Sequence, residues 1–180
     1  MKKVILIAGF TALLGTSAMS QKVYATKTGQ ISFDATGTCA EAIKATNNQV
    51  DSKFVDKSGQ IIFNVLIKSF KFANALMEDH FNENYMESTK FPKADFKGFI
   101  TNITSVNFEK DGTYEVSAKG TLTIDGKGKE MIVPGTITIA GGKPTLKASF
   151  NVPLKEFIHG SYIGSQISDN AKTVLVCKYD

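Results

Sequence analysis

Residues 113–124 read Thr-Tyr-Glu-Val-Ser-Ala-Lys-Gly-Thr-Leu-Thr-Ile, and their alternation decides the fold. Tyr114, Val116, Ala118, Leu122 and Ile124 fall on one side of an extended chain. Thr113, Glu115, Ser117, Lys119, Thr121 and Thr123 fall on the other. A period of two sustained over this length predicts a strand with one buried and one wet face. Asp111-Gly112 precede it and Asp125-Gly126 follow it, which predicts hairpin connections at both ends.

The same pattern recurs on either side. Ile31, Phe33 and Ala35 share a face, as do Ile61, Phe63, Val65 and Ile67, with Phe70 close behind. Downstream come Met131, Val133, Ile137 and Ile139, then Leu146, Ala148, Phe150 and Val152. Residues 50–54, 94–103 and 173–179 supply further strands, and Lys57-Ser58-Gly59 and Gly141-Gly142 two more turns. The total is about eight strands in a one-sided antiparallel sheet, which must cover its apolar face. Closing on itself does so and also removes the exposed edges. The expectation is a mainly all-β chain, an eight-stranded antiparallel barrel of lipocalin-like character.

Residues 72–86 break the period of two. Leu76, Met77, His80 and Phe81 fall at i, i+1, i+4 and i+5, on one face of a helix. Glu78, Asp79, Asn82 and Glu83 fall opposite, and Asn84 is placed to end the helix. A short turn could join the flanking strands. A helical insertion there is therefore expected to cap one end of the barrel or to border a ligand mouth.

Three segments carry a family likeness: His-Phe-Asn-Glu-Asn-Tyr-Met at 80–86, Phe-Pro-Lys-Ala at 91–94, and Gly-Thr-Leu-Thr-Ile at 120–124. In this order and at these separations they resemble the YceI-like family of periplasmic lipid-binding proteins. The likeness runs from about Gly29 to Tyr179. It implies an extended eight-stranded barrel with a hydrophobic tunnel, in which some members hold a polyisoprenoid chain, and association as a homodimer. Two features depart from the family. Asp125-Gly126-Lys127-Gly128-Lys129 stands where many relatives carry His-Gly-Val-Thr-Lys, and Cys39 stands where an ordinary loop residue is expected.

Residues 1–20 read as an export signal: Lys2 and Lys3, an apolar run over 4–14, and the small-x-small site Ala18-Met19-Ser20. That leaves 21–180 as the barrel domain, delivered to the periplasm or secreted. The apolar run is too short for a stable membrane anchor. Removing the two leading lysines lowers the formal charge from +4 to +2, too little to suggest nucleic acid as a partner. All 21 basic residues are lysine, so the arginine fork that grips phosphates and carboxylates is missing. Cys39 and Cys177 are the only thiols. In a closed barrel the first and last strands are neighbours, so this pair could form a disulfide clamp in an oxidising compartment, or stand as two isolated thiols.

The expected lipid-binding residues are Phe33, Phe63, Val65, Phe70, Leu76, Met77, Phe81, Phe96, Tyr114, Val116, Leu122 and Phe150, with His80 as the polar group near a mouth. Each reads equally well as core. An eight-stranded barrel can be filled by its own side chains or can hold one slim ligand; the family likeness implies the second. The functional expectation is a carrier or sequestering protein for a long-chain isoprenoid, quinone- or polyprenol-like, or a similar amphiphile. No catalytic residue, metal or cofactor is expected, although a bound isoprenoid lipid could co-purify. His80 and the loop residue His159 lack metal-ligand spacing. Two alternatives stand: an interaction or stress-protection module with a filled barrel, and an enzyme on a lipid-like small molecule using His80 or Tyr114 as acid or base.

Overall fold

The computed structural model describes residues 21–39, 41–158 and 163–180. The export signal and His159 lie outside the described residues. Among those described, nine strands form one sheet: β1 (Val23–Thr36), β2 (Lys44–Val55), β3 (Gln60–Leu66), β4 (Lys71–Phe72), β5 (Lys93–Ile100), β6 (Gly112–Ile124), β7 (Lys127–Ala140), β8 (Lys143–Pro153) and β9 (Ile167–Lys178). All pairings between them are antiparallel. Strand β1 pairs with β2 along one edge and with β9 along the other, so Ile31 lies between Asn47 and Leu175. That double pairing closes eight strands into a barrel, as the alternation predicts. Strand β4 is a two-residue appendage on β2.

The hairpins turn where the sequence places Gly and Asp. Asp125-Gly126 and Gly141-Gly142 all have positive φ, between 51° and 74°, the backbone that lets a two-residue loop follow the strand twist. Gly98 and Gly120 face each other across β5 and β6. A Cβ on Gly120 would lie 2.4 Å from the Lys97 carbonyl oxygen and 2.8 Å from the Phe96 ring. The bare pair lets the two backbones approach and the sheet bend sharply. The expected strand over 94–103 ends at Ile100, where Ile103–Ser105 turns into a short 3₁₀ segment.

Because neighbouring strands run in opposite directions, the two ends of the barrel differ. At the lower end Tyr24 stacks on Phe54 with centroids 4.9 Å apart, and Tyr179 meets Phe54 edge-on at 4.9 Å. Phe108 covers both Tyr24 and Phe54, at 5.6 and 6.0 Å. The Tyr179 hydroxyl lies 2.7 Å from the hydroxyl of buried Ser52, so the tyrosine is both packed and satisfied. The upper end carries a second apolar cluster of Ile67, Met86, Val152, Phe157, Ile158 and Ile163.

Helix α1 (Ala75–His80) is shorter than the expected span, and continues as a π turn over Phe81–Tyr85. The Asn74 side chain caps it, accepting from the Leu76 N–H at 2.9 Å and the Met77 N–H at 3.3 Å. Phe72, expected in the helix, is held instead in β4 opposite Ala45.

The two cysteines are free, so the disulfide drawn from strand adjacency is not formed. Gly29 is the β1 neighbour of Cys177, whose sulfur fills the space left by the missing side chain. Cys39 lies ten positions further along the chain, at the opposite end, where Thr38 bonds Ser165. From Gly29 strand β1 runs on to Thr36, which at about 3.3 Å per residue is roughly 23 Å, already far beyond disulfide reach. Burial pushes the Cys177 thiol up to about 12, which keeps it protonated and unreactive. Alkylation of the native protein should therefore add one group, on Cys39, with Cys177 reacting only after denaturation. Two groups added rapidly to the native fold would contradict this burial.

Candidate functional site

The inward positions are too small to fill the barrel. Ala35, Ala94, Ala118, Gly135, Ala148 and Ala171 all face an internal cavity of about 400 Å³. The filled-barrel reading is thereby overturned. Its wall is built by strand alternation: Ile61, Phe63 and Val65 from β3, Phe96 from β5, Val116 and Leu122 from β6, and Leu146 and Phe150 from β8. Phe33, Phe81, Leu122 and Phe150 contact both the lower and the upper apolar clusters, and form a waist between them. An aromatic group surrounds the helix side of this waist. Phe33 meets Phe70, Phe72 and Phe81 at 5.4–5.9 Å, and Phe72 meets Phe81 at 5.0 Å.

Eleven of the thirteen residues expected from sequence border the cavity: Phe33, Phe63, Val65, Phe70, Met77, His80, Phe81, Phe96, Val116, Leu122 and Phe150. Two do not. Leu76 is 61% exposed, because the helix is rotated by about one position from the expected face. Met77 and Phe81 turn inward, while the Glu78 carboxylate is drawn down onto the Lys71 ammonium and the Phe72 N–H. Tyr114 shares the inner side of β6 but lies below the cavity. It packs into the lower cluster and donates its hydroxyl to the Lys110 carbonyl at 3.0 Å. A catalytic role for Tyr114 on a bound molecule loses its geometry.

The polar groups that border the cavity gather mostly at its upper opening, between the 37–43 loop, the helix and the 154–167 segment. They include Cys39, Glu41, His80, Tyr85 and Gln166. Of these, Glu41 and Gln166 carried no sequence signal and Cys39 was singled out only as a thiol, because only the closed fold brings their loops beside the helix. Among the described lining residues there is no lysine, and the carboxyl residues are Glu41 at the opening and Asp95, whose side chain pairs with Lys97 at 3.0 Å. Nor do the described residues contain a His, Cys, Asp and Glu group able to hold a metal ion. The lysines of the 127–129 turn face a structural task instead. Lys127 Nζ donates to the Phe157 carbonyl at 2.6 Å, and Lys129 approaches Glu156 at 3.7 Å.

The rim is held by polar straps. Asn74 Nδ2 donates to Glu41 Oε1 at 3.0 Å, which joins the helix start to the 37–43 loop. Glu78 ties the helix to β4 through Lys71 and the Phe72 N–H, and the Lys71 hydrogen bond holds its carboxyl below the ordinary value of 4.5. These contacts are solvent-accessible, so each contributes little to global stability.

Comparison with known proteins places this geometry. The profile of the YceI-like domain matches residues 18–176. No curated protein sequence matches the chain. Among solved structures, a polyisoprenoid-binding domain from Saccharophagus degradans implicated in plant cell wall breakdown superposes with a TM-score of 0.73 at 8% identity, covering 88% of this chain and 97% of its own. BcnA of Burkholderia cenocepacia gives 0.66 at 18% identity, covering 83% and 96%. A YceI protein of Campylobacter jejuni gives 0.54 at 16%, covering 100% and 99%. At these identities the solved structures speak for a shared fold.

The Glu78 strap has a definite pH sense. Its folded-state pKa is lowered, so its contribution is complete above the unfolded value and is lost as pH falls through the folded one. Hydrogen-exchange protection factors over residues 75–85 should therefore fall below about pH 4.5. The Glu78→Gln variant should show the same loosening at pH 7, with a shift in global stability under about 1 kcal/mol. Equal protection in variant and wild type would remove Glu78 as a tether.

Proposed function

The chain belongs to the YceI-like family, and from that premise we propose that it is a non-enzymatic periplasmic protein that carries or sequesters a long-chain isoprenoid of quinone or polyprenol type. The observation that supports this most directly is the apolar cavity of about 400 Å³, within the roughly 300–1,000 Å³ of small-molecule sites. Water in such a space finds few polar partners. An unoccupied lining also lacks the apolar contacts that a packed core supplies, which carries a cost. A hydrocarbon tail offsets that cost, each buried CH₂ contributing roughly 0.8 kcal/mol.

The lining favours the chemistry of the tail and of the head separately. Flat phenylalanine rings and branched Ile and Val side chains suit the planar double bonds and methyl branches of isoprene repeats. A carboxylate or pyrophosphate head would meet no cation at the cavity wall, and Glu41 at the mouth would oppose it. A neutral head, such as a quinone ring or an alcohol, avoids both penalties and can bond to the His80, Tyr85 and Gln166 rim. Periplasmic delivery rests on the export signal read in residues 1–20.

Native mass spectrometry of gently purified protein should show a co-purified neutral isoprenoid, and the stripped protein should take up added prenol or quinone with a rise in Tm. Fatty acids of equal carbon number should bind at least about tenfold more weakly, since an unpaired charge costs more than 1.4 kcal/mol. Leu122→Trp fills the waist and should abolish loading while keeping Tm at or above that of the stripped wild type. Unchanged loading in that folded variant, or a wild type that takes no isoprenoid, would end this reading.

A further inference from the structure

We infer that the lower aromatic layer is a chain-length stop, and that the protein fully houses tails of roughly four isoprene repeats. This deepens the carrier reading and rests on it. The cavity wall ends abruptly. Ile61, Ile100, Val116 and Leu146 border the open space, whereas the next residues inward along the same strands do not. Phe54 is the direct partner of Ile61 across β2 and β3, and Ile137 that of Leu146 across β7 and β8. Both are fully buried.

Beneath them the packing is continuous and pinned. Phe54 is clamped between Tyr24, Phe108 and the edge-on ring of Tyr179, which Ser52 holds by a buried hydrogen bond. Tyr179 is 1% exposed and covers Phe54 from below. A tail entering at the helix therefore meets a wall instead of a second exit. Floor and mouth differ in kind: the floor joins rings through apolar contact, while the mouth is joined by exposed polar straps.

The depth follows from the strand. Lining residues run from Val116 to Ile124 on β6 and from Ile167 to Leu175 on β9, which at about 3.3 Å per residue is roughly 26 Å along the chain. With barrel strands tilted by about 40°, the axial depth is roughly 20 Å. An isoprene repeat adds four main-chain bonds of about 1.5 Å, or roughly 5 Å in zigzag. About four repeats then fill the space, and further repeats must stay at the mouth, in water.

A ladder of neutral prenols with two, three, four, six and eight repeats, titrated into the stripped full chain, tests this. Affinity should rise by about tenfold or more per repeat up to the limit and then stay within about threefold. Phe54→Ala removes the stop and should move the plateau to a longer tail; Phe54→Leu is the milder version should the alanine variant fail to fold. Val116→Phe fills the space just above the stop and should move the plateau to a shorter one. Affinity that climbs steadily to eight repeats, or a plateau that neither change moves, overturns the stop while leaving the carrier intact. Uptake of no prenol of any length overturns both.

Discussion

Everything in this molecule depends on β1 pairing along both of its edges. Once Ile31 to Asp34 bond to β2 on one side and to β9 on the other, the sheet has no free edge and its inner surface is fixed in area. Eight strands give an interior that side chains can just fill. Here they do not, because Gly and Ala occupy inward positions on β5 through β9 where larger residues would meet across the axis. The cavity is therefore a consequence of residue size at positions set by closure, not of a loop or a moving part.

The two ends then divide the labour. Antiparallel pairing brings Tyr24, Phe54 and Tyr179 to the lower end from two strands and the residues just past β9, where rings can pack edge to face. The upper end receives the longer connections, including the one that contains α1. Backbone in those connections needs polar partners, and the Asn74, Glu41, Glu78 and Lys71 contacts supply them. Dense apolar contact resists opening, and solvent-accessible polar contact exchanges readily with water. The barrel accordingly has one end that can yield and one that cannot.

The alternation of residues 113–124 made the strand, its buried face and the barrel class legible from sequence, and the turn residues located the hairpins. Depth was not legible. Tyr114 and Val116 share a face and a period, yet only Val116 borders the cavity, because position along the barrel axis depends on register with strands distant in the chain. The same reason hid the floor: Ser52 and Tyr179 are 127 positions apart and meet only after closure. The cysteine pair failed differently. Adjacent strands were correctly inferred, but antiparallel direction puts Cys39 and Cys177 at opposite ends of them. Leu76 was assigned by hydrophobicity on a helix of barely two turns, which turns Glu78 toward Lys71 and the Phe72 N–H and leaves Leu76 exposed.

An apolar space of this size also links folding to loading. Any molecule that occupies the cavity in the native state alone stabilises that state by mass action, and the lower and upper apolar clusters join through the waist residues that such a molecule would touch. The floor rings Tyr24, Phe54, Phe108 and Tyr179 hold together without help, since they contact one another directly. The upper cluster, with Met86, Phe157 and Ile158, borders the cavity on its inner side and loses packing partners when the space is empty. Loading should therefore be felt most by the mouth and least by the floor. An occupant that orders the mouth slows its own escape, which is what a protein that retains a water-insoluble cargo in an aqueous compartment requires.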